Sequence, residues 1–381
     1  MKCLINVASL SVLSAGAAAA GGIDLAAQNL GILFKDGNYA EVGVTHISTD
    51  VRARDVPQAP PGFPFPYDSG SSYGDVVGDF TMYNFGVKYD LTNRFSLTVT
   101  GQEDFGSDLY YSPKTGSLLG GTKARTDTYS LAVIGRYRFT ETWSVHGGVR
   151  RNTADGEIAL GGLAYGAVNG YRVKFDDDVG YGYLIGAAFE IPDYALRIAV
   201  TYNSEIEHKF KSKESLSGTS MGSSKRTKVN TPQSVNIDFQ TGVAEDTLLF
   251  GQIRWADWSE FTIAPERFKA QTGGGLVDLK DITTYTIGLG HRFTPAFSAS
   301  ASFIYEKEDD DDLLSPLSPT NGVKAVALGA SYRIQQIEIS GGVRYSWLGD
   351  ARPETGTPDV ARARTRNNEA VTVGMRIGYY F

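Results

Sequence analysis

The chain has 381 residues, 41% of them hydrophobic and 21% charged, with a formal net charge of −7. An acidic balance without a long Lys/Arg run excludes a nucleic-acid partner. With 21 Tyr and 19 Phe it is too aromatic for a disordered acidic chain, and its length admits either several small domains or one large all-β body.

Lys2, the apolar stretch from Leu4 to Leu13 and Ala18-Ala19-Ala20 read as the charged, apolar and cleavage regions of a secretory signal peptide over residues 1–20. The single cysteine, Cys3, lies inside it, so the mature chain has no disulfide or thiol chemistry. After Ala20 no apolar run is long enough to cross a bilayer as a helix. Residues 21–37 carry Ile23, Leu25, Leu30, Ile32, Leu33 and Phe34. Leaving these in water is unfavourable, which favours a hatch folded into a lumen over a loose tail.

From residue 38 onward the pattern is period-2 alternation in segments ending in aromatics, with almost no helical periodicity. Fourteen segments are expected, at 38–54, 79–90, 95–105, 125–139, 143–160, 176–190, 195–214, 225–242, 247–262, 281–293, 297–309, 322–335, 337–350 and 367–381. The last is the clearest: Val371, Val373, Met375, Ile377, Tyr379 and Phe381 alternate with Thr372, Gly374, Arg376, Gly378 and Tyr380. Apolar faces capped by aromatics, such as Tyr285 and Phe293 around Ile287 and Leu289, match the aromatic girdles of a membrane barrel. The opposite faces, such as Ser298, Ser300 and Ser302, are too small and polar for a packed core. Connections alternate short and long, as periplasmic turns and extracellular loops do. The expected fold is all-β: a 14-stranded antiparallel transmembrane β-barrel over 38–381 with a short N-terminal hatch at 21–37. The terminal Tyr379-Tyr380-Phe381 resembles the assembly signal of bacterial outer-membrane proteins.

Alternation turns Lys88 and a set of arginines inward: Arg136, Arg138, Arg150, Arg197, Arg254, Arg292, Arg333, Arg344 and Arg376. Glu190, Glu306 and Glu338 are the few inward acids. The arginines either brace a narrow barrel or make a positive interior for an anionic solute. Gly101 interrupts the third segment and marks either a kink or a strand end. The proline-rich loop 55–78 is either an exposed capture surface or a cover on the barrel mouth.

Catalytic signals are absent. His46, His146, His208 and His291 have no metal-ligand spacing, and no nucleophile elbow or zinc-protease motif occurs. The acidic runs 306–312 and 176–178 lack the glycine and spacing of a calcium loop. No enzyme activity, cofactor or metal is expected.

At residues 231–261 a resemblance emerges. Thr231-Pro232-Gln233-Ser234, Phe239-Gln240-Thr241-Gly242 and Leu248 through Trp255-Ala256-Asp257-Trp258-Ser259-Glu260-Phe261 resemble the FadL-type long-chain fatty acid transporters of Gram-negative outer membranes. The Trp-x-x-Trp-Ser-x-Phe element is the most specific part. The resemblance implies a 14-stranded barrel closed by a hatch, hydrophobic cargo entering from the extracellular loops, and sideways exit through a kink in the third strand, at Gly101. The family's Asn-Pro-Ala hatch element is missing, and only about 17 residues precede the first strand.

The expected function is therefore passive uptake of hydrophobic molecules, most of all long-chain fatty acids, through the outer membrane. Leu30, Ile32, Leu33 and Phe34 would hold the apolar chain, and an inward cation among Arg136, Arg150, Arg254, Arg344 and Arg376 would pair with the carboxylate. The barrel is expected to be monomeric, with membrane lipid and lipopolysaccharide as its surroundings. Alternatives are an aromatic-hydrocarbon channel of the same family, a general polar-solute porin, and a structural or adhesive surface barrel.

Overall fold

A computed structural model describes residues 30–56, 70–277, 279–356 and 359–381. The expected signal peptide at 1–20, residues 21–29 of the expected hatch and residues 57–69 of the proline-rich loop lie outside the described residues. Fourteen strands form the wall: β1 Tyr39–Asp50, β2 Phe80–Asp90, β3 in two pieces (Phe95–Gln102 and Gly106–Tyr110), β4 Lys123–Arg138, β5 Trp143–Leu160, β6 Tyr171–Ile191 and β7 Leu196–Asn203. They continue as β8 Ser234–Ala244, β9 Thr247–Ala256, β10 Ile282–Arg292, β11 Phe297–Glu306, β12 Val323–Ile334, β13 Ile337–Leu348 and β14 Asn368–Tyr380. Each strand pairs antiparallel with the next. β1 pairs with β2 on one side and with β14 on the other, from Tyr39↔Tyr380 to Asp50↔Glu369, so the sheet closes without an edge.

The alternation in the sequence becomes the two faces of this wall. Tyr285, Ile287 and Leu289 on β10 face outward and are about half exposed, whereas Ser298, Ser300 and Ser302 on β11 are buried inside. An apolar exterior over a polar interior fits a strand wall standing in lipid. Short turns join β2–β3, β4–β5, β6–β7, β8–β9, β10–β11 and β12–β13 at the end where β1 begins and β14 finishes, which is the periplasmic end of a bacterial barrel. The long connections gather at the other end around an apolar cap that includes Tyr111, Leu118, Leu119, Tyr171 and Trp258, all 2% exposed or less. Within it a short helix, α1 (Glu266–Thr272), rests its first amides on the buried Glu214 carboxylate, with Arg267 and Phe268 N–H donating at 3.1 and 2.8 Å.

All fourteen expected segments are strands, but five depart most from the expected bounds. The third is broken at 103–105. The seventh and eighth leave the wall at Asn203 and rejoin it at Ser234. Their flanks Ile206–Phe210 and Thr227–Thr231 pair as a separate ribbon that lays Ile206 and His208 over Gly180 and Gly182. The ninth ends at Ala256, so Trp258 belongs to a loop. β6 starts at Tyr171 rather than 176. Alternation reports which side of a strand is apolar and carries no record of where the partner strand departs.

Candidate functional site

The described part of the expected hatch, from Leu30 onward, is tightly held. Gly31–Phe34 form one turn of 3-10 helix inside the barrel. Leu30 and Leu33 are buried against Ala132 and Ile134 of β4 and Leu184 of β6. Ile32 sits over Gly86 of β2, where a side chain would collide with its terminal methyl group. That contact explains the glycine in the middle of a strand. Phe34 lies within cation–π range of two guanidinium groups, Arg136 on β4 at 4.5 Å and Arg197 on β7 at 4.3 Å from the ring centre. Lys35 crosses to β13 and pairs with Glu338 at 2.8 Å, both side chains 2% exposed. Tyr380 donates to the other Glu338 oxygen at 3.1 Å. A 170 Å³ cavity beneath the turn is lined in part by Phe34, Lys35, Arg136 and Glu190.

The four hatch residues singled out in the sequence thus come together, but they spend their apolar surface on the wall. The five arginines do not converge. Arg136 binds Glu190, the Leu33 carbonyl at 3.2 Å and Ser144 at 3.1 Å. Arg150 pairs with Asp104 at 3.0 Å. Arg254 donates to Ser234 and Asn236, Arg344 to Thr372 at 3.2 Å, and Arg376 lies 3.5 Å from Glu41. They are distributed around the lumen, each engaged locally, which is a bracing pattern.

The second feature is the interruption of β3. Through Gln102 the strand pairs regularly with β2 and β4, and Gly101 stands opposite Phe85 and Leu131 with no register shift. The break therefore falls at 103–105, beyond Gly101. That glycine is needed for another reason: a Cβ there would come within 2.9 Å of the Phe85 ring. At the break Asp104 turns inward to Arg150 and to Gln102 Nε2, which donates at 2.7 Å. The Phe105 backbone exchanges its ladder for the Thr128 hydroxyl: its N–H donates to Oγ1 at 3.0 Å and its carbonyl accepts from it at 2.6 Å. The Phe105 ring meets Trp258 at 5.6 Å and an interplanar angle of 87°, and Trp258 in turn meets Phe261 at 5.3 Å. Trp258 is 2% exposed, and among the described residues its indole N–H has no hydrogen-bond partner. On the outer side of the break a 560 Å³ cavity is lined by Phe80, Glu103, Phe105, Gly106 and Tyr129, among others.

Phe105, Asp104, Gly86 and the pairing of Arg197 with Phe34 were not legible in the sequence. The Trp-x-x-Trp-Ser-x-Phe element was the available signal for the break, because its second Trp is the residue packed behind it. The four histidines remain apart. His146 bonds Thr201 at 2.8 Å, His208 bonds Asn152 at 2.9 Å, and no metal-binding group forms among the described residues.

Over residues 7–381 the sequence matches the family described as outer membrane protein transport protein (OMPP1/FadL/TodX). No protein with a curated description matches it. Among solved structures the barrel is similar to a Pseudomonas aeruginosa FadL homologue (TM-score 0.72, 16% identity, 91% of each chain covered). It is also similar to the P. putida toluene transporter TodX (0.63, 14%, 91% of each chain) and to the Ralstonia pickettii toluene transporter TbuX (0.60, 13%, 92% of this chain and 90% of that one).

Proposed function

As the chain belongs to the OMPP1/FadL/TodX family of outer membrane transport proteins, we propose that it takes up small hydrophobic molecules and releases them sideways through the β3 break. The observation that carries this reading is the continuity at Phe105. One residue lines the outer cavity, interrupts the ladder and packs against the buried Trp258 inside. A greasy cargo crossing there passes between aromatic surfaces and enters lipid without traversing a water column. The plug, fixed to β2, β4, β7 and β13, blocks the straight route to the periplasm. A general porin would leave that route open. Long-chain fatty acids are one cargo of this reading, and aromatic hydrocarbons, named in the titles of structurally similar toluene transporters, are the other. Of the five arginines expected to receive a carboxylate, Arg136, Arg150 and Arg376 already face Glu190, Asp104 and Glu41, and Arg254 and Arg344 bond hydroxyl or amide groups.

The test is uptake of a labelled hydrophobic compound by a Gram-negative host lacking its own transporter of this class. Deleting residues 103–105 joins the two pieces of β3 with their inward and outward positions in step. Uptake should fall to the level of the empty host. Unchanged uptake in a variant that still folds into the membrane would overturn sideways release.

A further inference from the structure

Trp258 reaches the β3 break from the far side of the barrel. It follows β9, which ends at Ala256, and β9 stands six strands from β3 in the fourteen-stranded wall. Its edge-on contact with Phe105 at 5.6 Å therefore bridges the lumen. The bridge is anchored on both sides of the ring. Asp257 accepts from Gln233 Nε2 at 2.8 Å, and the Ser259 backbone N–H donates to Asp281 at 3.1 Å. The surroundings are apolar: the same buried cluster holds Met82 of β2, Ala154 of β5, Ile304 of β11 and Ala327 of β12.

An indole N–H can only donate, and a buried Trp ordinarily finds an acceptor for it. This one has none among the described residues, although the side chain is shut away from solvent. The hydroxyl at the break, that of Thr128, is spent twice on the Phe105 backbone. A stranded donor weighs against folding by roughly tenfold to a hundredfold. Edge-on packing against Phe105 and Phe261 requires a ring but no N–H, so a phenylalanine would meet the structural need without that penalty. The donor is fixed, buried and unused while the two rings are in contact.

Resting on sideways release at Phe105, we propose that the Trp258 indole N–H determines specificity, by bonding an oxygen acceptor on the cargo as the Phe105 and Trp258 rings part. The substrate class is an apolar molecule bearing a carbonyl, ester or hydroxyl oxygen, favoured over a hydrocarbon of the same shape. Such an oxygen is stripped of water at the break and finds a donor there, whereas a hydrocarbon leaves the donor stranded.

The experiment compares initial uptake of acetophenone and α-methylstyrene, which differ only in a carbonyl oxygen or a methylene group, by the same transporter-deficient host carrying the full chain. With the empty-host rate subtracted, acetophenone should enter about tenfold faster. Trp258→Phe, inserted as judged by heat-dependent gel mobility, should bring the two within about twofold and leave α-methylstyrene unchanged. A second readout needs no change at Trp258. The variant Trp143→Phe/Trp255→Phe/Trp347→Phe leaves Trp258 as the sole tryptophan. In detergent, acetophenone should shift its ultraviolet resonance Raman band for indole N–H hydrogen bonding, and α-methylstyrene should not; this measurement decides if Trp258→Phe does not insert. Equal uptake of the two compounds by the unaltered protein would overturn the donor and leave sideways release standing. So would a ratio that Trp258→Phe leaves in place, or a band that acetophenone does not move. Uptake of neither compound above the empty host would overturn the transport reading and the donor with it.

Discussion

Lys35 and Glu338 are 303 positions apart in the chain and 2.8 Å apart in the barrel, both shut away from solvent. This pair ties the plug to β13, across the lumen from the β4 and β6 residues on which Leu30 and Leu33 pack. Removing one partner of a buried ion pair costs about 3–5 kcal/mol, because the other is left charged without compensation. Lys35→Met should therefore lower barrel stability in urea by several kcal/mol, moderated by the Tyr380 hydroxyl. Lys35→Met/Glu338→Leu should recover most of the loss. Equal midpoints for the single and double variants, followed by tryptophan fluorescence in lipid vesicles, would show that the pair has no such role.

The Phe34 ring is held by two guanidinium groups, each contact contributing about 0.5–2 kcal/mol. Phe34→Leu keeps apolar bulk and removes both. Amide hydrogen exchange across residues 31–36 should accelerate by about tenfold. Arg197→Met should produce about half the free-energy effect, since Arg136 keeps its place. Exchange as slow as in the unaltered protein would mean that Leu30, Leu33 and Lys35 hold the plug unaided.

Gly86 leaves room for Ile32. Gly86→Ala should push the plug off β2 and raise ion conductance in planar bilayers, because a Cβ at this position meets the buried terminal methyl group of Ile32. Ile32→Ala in the same chain should return conductance to a low value by making space. If the double variant conducts as much as the single one, the two residues are not coupled.

Outside the membrane, Glu207 on the tucked ribbon is held at about 2 by hydrogen bonds from Lys209 and Lys228, well below its ordinary 4.5. A depressed carboxyl value means that the pairing is present at neutral pH, persists below pH 4 and is lost as pH falls through about 2. A carbon-13 titration of the Glu207 carboxyl should give a midpoint near 2. A midpoint near 4.5 would remove the lysines from this account.

The wall was legible because strand alternation registers lipid outside and polar lumen inside, as Val371 to Phe381 show. The inward turn of Arg136, Arg150, Arg254, Arg344 and Arg376 followed from the same rule. Their partners did not, since the pairing of Arg150 with Asp104 depends on a backbone break that alternation cannot see. Glu103-Asp104 read as the polar end of a strand. Trp258 read as a continuation of β9 because Ile253 and Trp255 kept the period up to it. Polar lumen and open water impose the same side-chain pattern, so a segment that leaves the wall for the interior, such as Ile206–Phe210, resembles one that stays in it.

The joining of β1 to β14 sets the order of assembly. Twelve register pairs connect the earliest strand of the wall with the last. These contacts span nearly the whole sequence, and long loop closures of this kind are slow. Until the last strand arrives, Glu41 lacks Arg376, and Tyr39 lacks Tyr380, whose ring lies 4.7 Å from its own. The plug is bound to both flanks of this joint, through Ile32 on β2 and Lys35 on β13. A cylinder zipped up one position out of step would leave Lys35 without its acid, so the plug can serve as a proofreader of closure.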